Sequence, residues 1–192
     1  MQSRRDANTE ATIAAIVTAA RARFGAQGFE LTSLEEIAAD VRVTTGAIYH
    51  HFGSKQGLFR TVAEQIEAEL LACAVSVQDP DLWAQTLKAF ATLIEACATT
   101  EVQRIIFLDA PRVMGPEAWR EIEMKYGFGA MANALSALAT ARIIRPYPVE
   151  LLAPVLLAVL AEASRARAAN PGMKEHTADL VALLLRALRI DA

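Results

Sequence analysis

Cysteine is scarce in this chain of 192 residues. Cys73 and Cys97 stand far apart and match no metal or redox spacing. That excludes a disulfide scaffold and fits two small apolar side chains in a reduced cytoplasm. Histidine is scarce too, with His50, His51 and His176 only. Neighbours on a helix point about 100° apart, so His50 and His51 cannot chelate as a pair, and His176 is alone. No metal and no cofactor are expected. No nucleophile–base pair, carboxylate pair or ligand cluster is visible, which argues against an enzyme. Long apolar runs are missing: the longest, 151–161, is too short to span a bilayer and is interrupted by Pro154. The first residues are not followed by an apolar stretch of secretory type, so a cytoplasmic location is expected. Repeats and polar low-complexity tracts are absent. A large positive charge is also lacking. Residues 1–60 carry seven basic against six acidic groups, net +1, and the remainder twelve against sixteen, net −4. Any affinity for nucleic acid must therefore come from placed contacts and from dimerisation rather than from a broad field.

What is abundant is apolar and helix-forming: 54% of the residues are hydrophobic, with many Ala and Leu. This composition predicts a packed all-α protein, and the pattern along the chain divides it into about nine helices. The most informative stretch runs from Thr32 to Phe59. Ser33 and Glu36 have the spacing of a capping box, and Leu34, Ile37, Ala38 and Val41 form one stripe on a helix of two turns. Arg42-Val43 must carry a turn. Thr44 or Thr45 caps the next helix, with Ile48 and Phe52 inward.

That leaves Thr45, Gly46, Ala47, Tyr49 and His50 pointing elsewhere, with Lys55 just beyond. A surface meant only for water would carry Glu, Lys and Gln. A small, neutral start followed by rings and a lysine suits a helix entering a major groove, because slim residues let the backbone approach base edges. Hydroxyls and cations then bond phosphates. The expected DNA-binding set is Thr32, Thr44, Thr45, Gly46, Ala47, Tyr49, His50, His51 and Lys55.

Residues 43–52, then Ser54-Lys55 and Leu58-Phe59, resemble the signature of the TetR family of bacterial repressors. Residues 24–29 and 32–38 are similar to that family's first helix end and second helix. The resemblance covers roughly residues 9 to 60. It departs at Arg42, where the family usually has Gly, and at Gly57, where it has an acidic residue. A left-handed turn costs Arg about 1 kcal/mol.

The resemblance implies a helix-turn-helix domain over 1–54 and a regulatory domain over 55–192, joined through the fourth helix. It implies a dimeric repressor of a palindromic operator, released by a small molecule; a helical adaptor without DNA binding is the alternative.

Elsewhere the pattern predicts a first helix capped at Asn8 or Thr9 and ended by Gly25 and Gly28. Arg4 and Arg5 are either a phosphate or minor-groove arm or a polar tail. Further helices are expected over 82–98, 101–109 (stopped by Pro111), from Gly115-Pro116-Glu117 onward, near Pro154, and over 177–190. Phe90, Ile94, Phe107 and Trp119, with Met124, Tyr126, Phe128 and Met131, are candidates to line an apolar ligand cavity, although such residues at helical spacing are ordinary core more often than pocket. Arg104, Asp109 and Arg112 are candidate polar anchors. The last two helices, with Leu152, Val155, Leu180 and Leu183 among their apolar groups, are expected to form the homodimer interface.

Overall fold

The computed structural model describes the backbone of residues 2–190 and the side chains of 7–190, so the Arg4 and Arg5 side chains lie outside the described residues. The described chain is all-helical. Four rods open it: α1 (Gln2–Leu31), α2 (Leu34–Val41), α3 (Thr45–Phe52) and α4 (Lys55–Ser76). Next come α5 (Leu82–Cys97), α6 (residues 100–114), α7 (residues 116–140), α8 (Val149–Ala169) and α9 (Lys174–Arg186). The chain divides into two compact units, residues up to Ile66 with Thr100–Trp119, and Glu67–Thr99 with the residues from Arg120 onward.

In the first unit, Ile16, Ala20, Phe24, Ile37, Ile48, Leu58 and Phe59 are fully buried. The Phe24 and Phe29 rings both meet Phe59 edge-on, at 5.1 and 5.2 Å. Full burial of the Phe24 and Phe59 rings supplies about 2–3 kcal/mol each, which outweighs the weak intrinsic preferences of two-turn helices. The α2 capping box forms as expected: Ser33 Oγ accepts the Glu36 amide at 3.2 Å, and the Glu36 carboxylate accepts the Ser33 amide at 3.0 Å. Arg42 takes the left-handed conformation (φ 57°, ψ 42°) and closes α2, so the turn keeps its usual shape in spite of the side chain.

Several boundaries differ from expectation. The first helix runs through Asn8 and Thr9 and past Gly25. It breaks only at Gly28, whose φ of 84° no side chain favours. Pro111 does not stop α6. The rod passes from Thr100–Val102 into a π-helical stretch, Gln103–Asp109, and then Ala110–Met114, ending at Gly115. The wider π turn shifts the carbonyls that an in-register proline ring would strike, and proline has no amide to waste at the start of the next turn. A second π turn, Met124–Phe128, interrupts α7 near Gly127 and Gly129, where a bend was expected.

In the second unit α8 packs on α5, α7 and α9. Pro154 lies inside α8, which already begins at Val149. The last helix covers Lys174–Arg186 rather than 177–190. The chain then returns to the α7–α8 connection, where Ile144 and Arg189 form an isolated antiparallel bridge. Glu95 holds Arg167 through two bonds of 2.8 and 3.0 Å.

Burial raises the Glu67 carboxyl to about 7, with a smaller push from the Glu123 carboxylate, and burial raises the Cys97 thiol to about 12. A carboxyl that keeps its proton in the folded state above the unfolded value of 4.5 binds more protons when folded. Stability must then fall as pH rises from about 4.5 to 7, by at most about 3 kcal/mol. Urea titrations of wild type and Glu67→Gln across that window should show the decline in the first and its flattening in the second. At Arg42, replacement by Gly should raise stability by about 0.5–1 kcal/mol in the same assay, by removing left-handed strain.

Candidate nucleic-acid interface

α3 is short, and its two ends are fixed by local bonds. Thr44 is the N-cap, accepting the Ala47 amide on its hydroxyl at 3.2 Å. Gly53, at φ 74°, ends the helix by donating to Tyr49 O at 2.9 Å. Ile48 is fully buried and Phe52 is only half-buried, so one residue anchors the helix where two were expected. Opposite that anchor, Gly46, Tyr49 and His50 are exposed, and Thr45, Ala47 and His51 are half-buried. Tyr49 is 54% exposed. The His50 and His51 rings meet edge-on at 5.1 Å.

Two of the expected contacts are placed differently. Thr32 is 2% exposed, and its hydroxyl donates to Gly28 O at 2.8 Å, so it braces the end of α1 and is not presented with the others. The Lys55 ammonium lies 4.3 Å from the Phe29 ring centre and 3.4 Å from Glu30 O. Its remaining N–H groups are open to a phosphate.

The frame behind α3 is polar as well as apolar. Arg23 on α1 clamps α2 through Asp40, at 2.5 and 2.9 Å, and through Glu36 at 3.0 Å. The Arg23 guanidinium holds the Asp40 carboxyl below its ordinary 3.8, and the Ser33 amide holds Glu36 below 4.5. Sequence reasoning passed over Arg23; its i+13 and i+17 partners leave no periodic trace. Gly57 also acquires a reason. A Cβ there would sit 2.1 Å from Phe52 O, so the α3–α4 corner closes onto a position where an acidic residue does not fit.

The candidate ligand residues are divided between the two units. Phe107 and Trp119 belong to the first unit, and the other six to the second. Phe90 and Ile94 border one apolar cavity with Leu87 and Val181, but it holds about 10 Å³, room for one water at most. Met124 is 43% exposed, and Met131 is buried core. Arg112 is exposed, and the Asp109 carboxylate is occupied by the Phe29 amide at 2.9 Å.

Residues 16–62 match the model of bacterial regulatory proteins of the tetR family, and residues 83–189 match that of the tetracyclin repressor-like C-terminal domain. The second match alone spans more than half of the chain. This protein belongs to the TetR family.

It is therefore a DNA-binding transcriptional regulator and not an enzyme. The HTH-type transcriptional repressor BepR of Brucella suis is 28% identical, over 82% of this chain and 80% of that one. The Transposon Tn10 TetC protein of Escherichia coli is 23% identical, over 78% and 76%. A TetR-family regulator of Pectobacterium atrosepticum has a solved structure that superposes with a TM-score of 0.80, at 28% identity over 96% of this chain and 97% of that one. No helix among the described residues is long and apolar enough to cross a membrane.

Substituting Gly57 by Ala should open the α3–α4 corner of this regulator and cost about 1–3 kcal/mol, the usual penalty of overpacking. Thermal unfolding of the variant measures it, and an unchanged midpoint would mean the corner yields freely.

Proposed function

We propose that this TetR-family regulator is a cytoplasmic repressor that binds a palindromic operator as a homodimer and lets go of it when a small, largely apolar ligand binds. The observation that carries the reading is the face of α3: Gly46, Tyr49 and His50 are exposed directly behind a fully buried Ile48. Thr44, Thr45, Gly46 and Ala47 would meet base edges and phosphates at the helix start, and Tyr49, His50, His51 and Lys55 would bond the backbone further along. Reading is assigned to residues 1–54 and regulation to 55–192, with α4 carrying the chain from one to the other.

Dimerisation is supported by the apolar groups that α8 and α9 leave uncovered. Leu151 and Val155 are 65% and 52% exposed, and Leu180 and Leu183 57% and 61%, while Leu156, Leu160, Val181 and Leu185 face inward. The two sets lie on different faces of the same helices, so the outer one needs its own partner. A twofold pair also presents two copies of α3, as successive major grooves about 34–36 Å apart require.

The apolar character of Phe90, Ile94 and their neighbours supports an apolar effector, with Phe107, Trp119, Met124, Tyr126, Phe128 and Met131 as further candidates. Since the cavity at Phe90 holds only about 10 Å³, binding would select an opened arrangement. A hundredfold loss of operator affinity needs about 2.7 kcal/mol of coupling between the two sites.

Gel-shift titration tests the reading. Tyr49→Ala should weaken binding at all salt concentrations by about tenfold or more, and Lys55→Gln should lower the slope of log K against log salt by about 1. Leu180→Glu with Leu183→Glu should yield monomers in sedimentation. A wild-type chain that ignores duplex DNA at low salt would favour the helical adaptor instead.

A further inference from the structure

The π-helical stretch of α6 and the broken end of α1 meet within the first unit, and their geometry explains why each is irregular. Glu101 holds Arg21 through two bonds of 2.9 Å, and its side chain lies against Gly25, where a Cβ would come 3.1 Å from Glu101 Cγ. Eight residues later, the Asp109 carboxylate accepts the Phe29 amide at 2.9 Å. To do so it reaches across Gly28, where a Cβ would lie 3.3 Å from Asp109 Oδ2. In an unbroken α-helix, residues eight apart stand about 80° apart around the axis, which would put these carboxylates toward opposite edges of the face turned to α1. The wide turn over Gln103–Asp109 takes up that angle and turns both toward it.

The bond at Phe29 bears on the DNA-reading region. The Phe29 ring is the platform for the Lys55 ammonium and packs edge-on against Phe59. The next carbonyl, Glu30 O, accepts from Lys55, and Thr32 ties the Gly28 carbonyl from the other side. Lys55 opens α4 three residues after the end of α3.

We propose that Asp109, turned toward α1 by the π-helical register of residues 103–109, is a positioning residue for DNA reading: it fixes the α1 corner on which Lys55 and the start of α4 rest. It touches no DNA itself. A slip of the stretch back to α-helical register would swing Asp109 away, release the Phe29 amide and loosen the seat of Lys55. The reading helix would then lose its register without any change in its own residues.

The inference rests on the DNA-reading role of α3, and its test separates the two. Asp109→Ala should bind a duplex selected by the wild-type dimer about tenfold more weakly, with a ceiling near a hundredfold set by loss of a hydrogen bond to a charged group. Asp109→Asn, whose carbonyl oxygen still accepts the amide, should stay within about threefold. Hydrogen exchange should show the Phe29 amide protected in wild type and in Asp109→Asn, and unprotected in Asp109→Ala.

A folded Asp109→Ala dimer with wild-type affinity would overturn the proposal, and so would loss of binding in Asp109→Asn with Phe29 still protected. If Asp109→Ala does not fold, the Asn variant and the exchange data decide, and fast exchange at Phe29 in wild type would overturn it. Failure of the wild type to bind any duplex would instead strike at α3, leaving exchange at Phe29 to judge the Asp109 bond.

Discussion

The burial of Ile48 is the constraint on which the rest of the reading head depends. α3 is only eight residues long, too short to be stable alone, and it exposes more than it hides. One fully buried side chain must hold it, so everything that surrounds that side chain must be rigid. Phe24, Ile37, Leu58 and Phe59 in the same unit have no exposed surface of their own, and the Arg23 clamp ties α2 to α1. A helix held from behind by one anchor keeps its whole outer face for a partner.

The features legible in the sequence are those made by residues three to five apart. The Ser33–Glu36 capping box and the threonine cap of α3 close within one helical turn, and each forms as the residue types require. The stripe of α2 and the burial of Ile48 were readable for the same reason. The departure at Arg42 is absorbed as strain. The departure at Gly57 is of another kind, because Phe52 O has closed onto the position, and that oxygen's placement is a property of the folded corner.

What escaped the sequence depends on longer separations or on register. Thr32 stands in the expected DNA-binding set, but its hydroxyl bonds Gly28 O, an acceptor at the break of α1. The π turns in α6 and α7 add to the helical repeat in the middle of apolar runs, where a period of 3.6 is easily read through. Pro111 looked like a stop for the same reason. The division of α8 and α9 into an inner and an outer apolar face needed the positions of α5 and α7, which no periodicity supplies. The ligand candidates were chosen by size and apolarity alone, and residues of that kind fill ordinary core.

The measurement that bears most directly on the account is selection of duplexes by the purified full-length chain from a random library at low salt. A slender face held by Ile48 and offered twice by a symmetric pair predicts an enriched motif with inverted half-sites at a fixed spacing. Recovery of no motif, or of one without twofold symmetry, would contradict it.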